Sequence, residues 1–167
     1  RGAALELERR EESHHGSLSL VPDERISLNE IRRISVPIYG MDSWGDLFSR
    51  RQALALTVFS GIIARLPHQQ IGDASLARAV VTCLALSVSR LSDFNSSIAR
   101  WANNREGSAV TFGRQALPML WDFAETCPLA DSTGAISTSC ELVASVIEAQ
   151  RTGATPSDQT CVVSASA

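Results

Sequence analysis

Lysine is missing from this sequence: all 15 of its basic residues are arginine, set against 18 acids in 167 residues. A surface that holds nucleic acid by charge alone needs clustered cations, and the placement of charge here argues against a broad one. Residues 1–30 hold seven acids and four arginines, a balance of three negative charges. That matches the whole formal charge of −3, so the remaining body is neutral. The all-arginine composition reads first as genome bias, and second as a means of reading bases or clamping phosphates.

Histidine is scarce as well, with only His14, His15 and His68. That leaves little material for a Ser–His–Asp or Cys–His site. Adjacent side chains point apart on a helix or strand, so His14 and His15 read as a solvated pair and not as metal ligands. Cys83, Cys127, Cys140 and Cys161 are scattered, without a C-x-x-C pair. This excludes the usual zinc pattern and predicts reduced, mostly buried thiols of the kind kept in a cytoplasm. The G-x-G-x-x-G, P-loop, G-x-S-x-G and H-E-x-x-H patterns are all absent. The carboxylates of Asp93 and Asp122 are expected to cap a helix or pair with an arginine. By these signs the chain holds no catalytic residue and no metal site.

Long hydrophobic runs are lacking too. Those around residues 53–66 and 79–88 are broken by Thr, Ser and Arg and read as too short for a membrane span. The opening residues form no signal-peptide pattern and the first is not Met, so the chain is expected to be a piece of something longer.

What remains is 44% hydrophobic and the size of one domain, enough to bury a core. Residues 1–30 mix charges without a sustained apolar period, which predicts an acidic, flexible arm with at most a short helix around Leu5 and Leu7. Ile34, Val36 and Ile38 alternate with Ser35 and Pro37, the pattern of a short edge strand. A turn over residues 43–47, with Trp44 packed against it, leads to a helix over about residues 49–66. Ser49 and Gln52 match a capping box, Leu56, Phe59, Ile63 and Leu66 share a face, and Pro67 stops the run.

A second helix is predicted from Asp73 or Ala74 as far as Ala102, with Leu76, Val80, Leu84, Leu91, Phe94, Ile98 and Trp101 near a heptad stripe. Residues 103–108 read as a turn and residues 109–113 as a short extended piece. A third helix is expected near Leu117, with Pro118 in its first turn and Met119, Leu120, Phe123 and Ala124 inward. A last one fits residues 139–151, capped by Thr138 with Glu141. Residues 159–164 read as a C-terminal strand. The fold class is therefore mainly α: four to five helices over residues 31–152, a short edge strand, and a strand within 153–167.

Three stretches, YGMDSWGDLFSRRQALALTVF (39–59), LSDFNSSIARW (91–101) and TFGRQALPMLWDFAE (111–125), resemble the corresponding parts of a family of large bacterial proteins described as adenine-specific DNA methylases. Members carry an N-terminal domain of unknown function, and some lie in phage-defence loci. The resemblance covers roughly residues 20–167 in order, and the third stretch is its most specific part. Arg50 stands where the family often has Pro, and Ala99 where it often has Cys; a helix start and a helix interior accept both.

The resemblance implies a helical insertion in a larger, cytoplasmic α/β methyltransferase, lying between a Gly-rich S-adenosylmethionine loop and a D-P-P-Y-type catalytic motif. Neither is in this chain, and the closing CVVSASA is similar to the family's strand ahead of that motif. The implied cofactor is S-adenosylmethionine, held by the parent, and the implied partners are DNA and the rest of the methyltransferase chain. Such an enzyme extrudes its target base and grips the flanking duplex. Asn95, Arg100, Trp101, Asn104, Arg105, Arg114 and Gln115 have the chemistry for that grip, since Asn and Gln read adenine edges and Arg reads guanine or holds phosphate. The competing reading makes the same side chains internal ties, Arg114 to Asp122 or Asn95 to a loop backbone. A third reading is a stand-alone helical module that binds another protein through an exposed Trp and Leu face.

Overall fold

A computed structural model of the chain describes residues 1–66, 72–104 and 106–153. It is mainly helical: α1 (Gly2–Glu12), α2 (Arg50–Arg65), α3 (Ala74–Phe94) and α4 (Ile136–Gly153). Between α3 and α4 lies a small antiparallel sheet, β1 (Trp101–Ala102) paired with β2 (Gly107–Ser108). Each helix packs on the next, α1 on α2, α2 on α3 and α3 on α4.

The two middle helices begin where local chemistry places them. Ser49 Oγ accepts the Gln52 N–H and Gln52 Oε1 accepts the Ser49 N–H at 2.8 Å, the reciprocal box that satisfies two donors at the start of α2. Gln52 is buried, and its Nε2 has no hydrogen-bond partner among the described residues. Asp73 Oδ1 accepts the N–H groups of Ser75 and Leu76 and opens α3.

The second helix stops at Phe94 instead of reaching Ala102. Its last carbonyls find partners outside the helix: Asp93 O accepts the Thr111 N–H at 2.8 Å, and Phe94 O accepts the Ser108 hydroxyl. Asn95 turns out of the helix with φ −112° and ψ 62°. The heptad stripe is only partly inward. Leu91 is fully buried while Leu76 is exposed, and the small residues Ala77 and Ser87 are the other buried positions of α3. α3 has 21 residues and an 18-residue stretch of mean hydropathy 1.4, long and apolar enough to cross a membrane by length and composition alone. That departs from the expected shortfall, because the helix joins flanking apolar residues onto the 79–88 run.

The main apolar cluster lies off the long helices. Ile26, Val36, Leu47, Ile98 and Leu117 are buried together, with Ile34, Met41, Trp44 and Phe48 packed against them. Trp44 thus packs inward as expected. The expected edge strand is a 3-10 turn at Val36–Tyr39, since Pro37 fixes a helical φ near its start. Only Ile34 pairs in a β-like way, in a parallel bridge with Leu117. The stretch read as a flexible arm also contributes to packing: α1 lies on α2 with Leu7 fully buried, and Ile26 belongs to the core.

The helix expected from Leu117 does not form. Its backbone groups serve other segments: the Leu117 N–H donates to Arg33 O, Leu117 O accepts the Ser35 N–H, and the Ala124 N–H donates to Ala99 O at 2.7 Å. The last helix starts at Ile136, ahead of the expected cap, and Thr138 Oγ1 donates back to Ala135 O. The expected C-terminal strand and the Pro67 stop lie outside the described residues.

Candidate nucleic-acid surface and the junction beneath it

The polar stretch after α3 divides into a buried junction and two exposed sets of side chains. The junction centres on Asn95, which is 0% exposed. Its amide nitrogen donates to Leu91 O at 2.9 Å and to Gly134 O at 3.0 Å, and its Oδ1 accepts the Thr126 hydroxyl at 2.6 Å. Asn95 is itself fully buried and its amide is engaged at both its nitrogen and its oxygen, with Thr126 half-buried beside it, so the amide acts as a structural tie. It is the tie to a loop backbone that the competing reading gives Asn95.

Around Asn95 the stretches 39–59, 91–101 and 111–125 meet. The Ser97 N–H and hydroxyl both donate to Leu47 O, at 2.8 and 2.9 Å. Ser96 and Thr111 share a hydroxyl–hydroxyl bond of 2.7 Å, both side chains buried. Asp93 Oδ1 accepts the Phe112 N–H at 2.7 Å, tying the last turn of α3 to a loop; Phe112 opens no helix, so this is neither the helix cap nor the arginine pair expected of that carboxylate. On the outside, Arg51 Nε donates to Glu125 Oε1 at 3.0 Å and its Nη2 engages the other oxygen, a bidentate pair that raises the arginine's pKa by hydrogen bonding.

The first exposed set is the hairpin. Trp101 on β1 is 55% exposed and Asn104 lies in the turn, where Glu106 takes a left-handed φ of 48°. Arg100 is exposed just before β1, its carbonyl accepting the Ala109 N–H. Arg105 lies outside the described residues.

Arg114 and Gln115 form the second set. Both are exposed and line an open groove of about 490 Å³ with Glu30, Arg33, Ile34, Trp44, Phe112, Ala116 and Leu117. The expected Arg114–Asp122 pair is not among the ion pairs of the described residues. Sequence reasoning missed Arg33 and Phe112 because the groove exists only once Ile34 pairs with Leu117, 83 positions away by their numbers.

Among the described residues no group of three or more His, Cys, Asp or Glu is placed to hold a metal. Cys127 is exposed and Cys83 and Cys140 are half-buried free thiols, less covered than expected; Cys161 is outside the described residues. Resolved pKa shifts fall on caps and ion pairs. Asp46 is lowered, first by the Ser43 N–H that it accepts, and Glu6 is lowered to about 2 by hydrogen bonds from Arg9 and Arg10. No family model, curated protein or solved structure matches the chain.

Proposed function

We propose that this chain is the helical segment of an S-adenosylmethionine-dependent, adenine-specific DNA methyltransferase that lies between its cofactor-binding and catalytic motifs. Its work there is structural support with a contribution to DNA contact, in a cytoplasmic enzyme, and it does no chemistry itself. One observation carries the reading: the three stretches that bear the resemblance, separated in sequence, are one another's hydrogen-bond partners. Leu47 meets Ser97, Asp93 meets Thr111 and Phe112, Ala99 meets Ala124, and Arg51 meets Glu125. Residues that share a family likeness and a single junction form one packing unit, which suits a support element.

On this reading the chain does not itself bind S-adenosylmethionine. The starts of α2 and α3 are closed by their own caps, Ser49 and Asp73, and neither helix follows a strand with a Gly-rich turn. The cofactor belongs to the remainder of the parent.

A second reading, a helical protein-interaction module, draws on exposed apolar side chains: Trp121 is 88% exposed, and Leu142, Val146 and Ile147 of α4 are exposed too. Sequencing the source locus outward from this segment separates the two. An in-frame Gly-rich loop upstream with a D-P-P-Y-type motif downstream supports the methyltransferase reading. A start codon just before Arg1 and a stop just after Ala167 transfer support to the module. For the DNA-contact part, Arg100→Ala is expected to keep the thermal midpoint and weaken duplex binding with a shallower salt slope; an unchanged slope removes Arg100 from the contact.

A further inference from the structure

The groove between residues 30–34 and 112–117 combines features that the hairpin lacks. Its two walls are joined by backbone bonds: the Leu117 N–H donates to Arg33 O at 2.8 Å, and the Ser35 N–H donates to Leu117 O at 3.1 Å. Trp44 in its lining is anchored on the core cluster, and Phe112 is held at its backbone by Asp93. The Phe112 ring is 44% exposed. Two guanidiniums, Arg33 and Arg114, stand with the Gln115 amide along the same groove. Against them is Glu30, whose carboxylate is 3.8 Å from Arg33, a loose pair between exposed side chains.

We infer that this groove seats one unpaired nucleotide of a single nucleic-acid strand, its base on Phe112 and Trp44 and its phosphate on Arg114 and Arg33. The base of an unpaired nucleotide has a free face, and such a face on an aromatic ring contributes about 1–3 kcal/mol. A guanidinium complements a phosphate with paired N–H donors. Gln115 carries a donor and an acceptor, which suits a base edge. A duplex offers no free base face, so the aromatic lining would go unused. Charge favours an anionic occupant: residues 30–39 and 112–121 hold three arginines and one glutamate.

A strand, in preference to a free nucleotide, is favoured by a second aromatic platform on the same two segments. Tyr39 and Trp121 meet edge to face, with ring centroids 5.9 Å apart, and both rings are exposed. They follow the Ile34–Leu117 bridge by a few residues on each segment, so the same two segments carry a second exposed aromatic surface for a further base of a strand. The inference rests on the nucleic-acid part of the proposed function, and names the strand state and the residues that it leaves open.

The test uses the full chain and a fluorescent twelve-nucleotide oligo(dT), measured by anisotropy at low and moderate salt. The same probe annealed to its complement and free thymidine monophosphate serve as competitors. The expected result is that the single strand binds at least about tenfold tighter than the duplex or the mononucleotide. Phe112→Leu is expected to weaken binding about tenfold while Phe112→Tyr retains it, the scale of one lost stacking contact. Arg114→Ala is expected to flatten the salt dependence. Equal or tighter duplex binding, competition by the mononucleotide on a par with the strand, no binding at low salt, or a Phe112→Leu variant that binds like the parent would each overturn the inference. Failure of the methyltransferase reading shows elsewhere, in the flanking coding sequence, whatever the oligonucleotide does.

Discussion

The Thr126 hydroxyl donates to Asn95 Oδ1 across 2.6 Å, joining the loop ahead of α4 to the residue that ends α3. Asn95 also holds Gly134 O, so one buried amide gathers three separated segments. A residue whose chemistry suits base reading is thereby committed to holding the fold, and the exposed arginines and aromatics are left to face partners.

Replacing that amide is expected to be costly. Asn95→Ala leaves the buried carbonyl of Gly134 and the half-buried hydroxyl of Thr126 without their partner, and a loss of roughly 3 kcal/mol is expected. Thr126→Val alone should cost about 1 kcal/mol. In urea denaturation the double variant should fall short of the sum of the two by about 1 kcal/mol, the signature of a shared bond. Simple additivity would mean that the two side chains act independently.

Gly134 has φ +86°, and a Cβ there would sit 2.6 Å from Thr126 Oγ1. Gly134→Ala is therefore expected to destabilise by about 2 kcal/mol, from backbone conformation and collision together. Asn accepts left-handed φ better than Ala does but carries the same Cβ. A Gly134→Asn variant as stable as the parent would show that the collision is relieved by a small shift of Thr126.

Asp46 accepts both the N–H and the hydroxyl of Ser43, at 2.7 and 2.8 Å, ahead of the start of α2. These bonds lower its folded pKa, the backbone N–H first, and Arg50 adds a smaller attraction. A lowered folded pKa means that the charged form is preferred in the native state. Its contribution is present above the unfolded carboxylate range and is lost as the pH falls through the folded value. Asp46→Ala should cost about 1 kcal/mol at neutral pH, a typical capping loss. Stability profiles of the variant and the parent are expected to converge in acid; a gap of constant size would assign the effect to packing.

The Arg51–Glu125 pair bridges α2 to the loop at residue 125, but the Arg51 side chain is 71% exposed. Arg51→Ala should therefore cost little, and the cost should shrink as salt is added. A loss of several kcal/mol that ignores salt would mean that the arginine stem packs on the junction.

What could be read in advance was local. The caps Ser49 with Gln52 and Asp73 act within three residues, so the starts of α2 and α3 were legible to within a residue. The turn at residues 103–104 and the inward Trp44 follow from composition and apolar context in the same way. The groove was half legible: Arg114 and Gln115 stood out by type, while Arg33 and Phe112 did not, because nothing in their own neighbourhoods marks them.

The sequence by itself determined the helical class, the starts of α2 and α3 and the absence of the common catalytic motifs, because propensity, capping and residue type operate over one or two turns. Tertiary structure alone decided where α3 ends, why residues 117–125 are not helical and which polar residues face outward. At those places backbone groups are satisfied by distant partners: Thr111 on Asp93, Arg33 on Leu117 and Ala99 on Ala124. A buried hydrogen bond supplied from elsewhere in the chain outweighs the few tenths of a kcal/mol by which local propensity favours a further turn of helix.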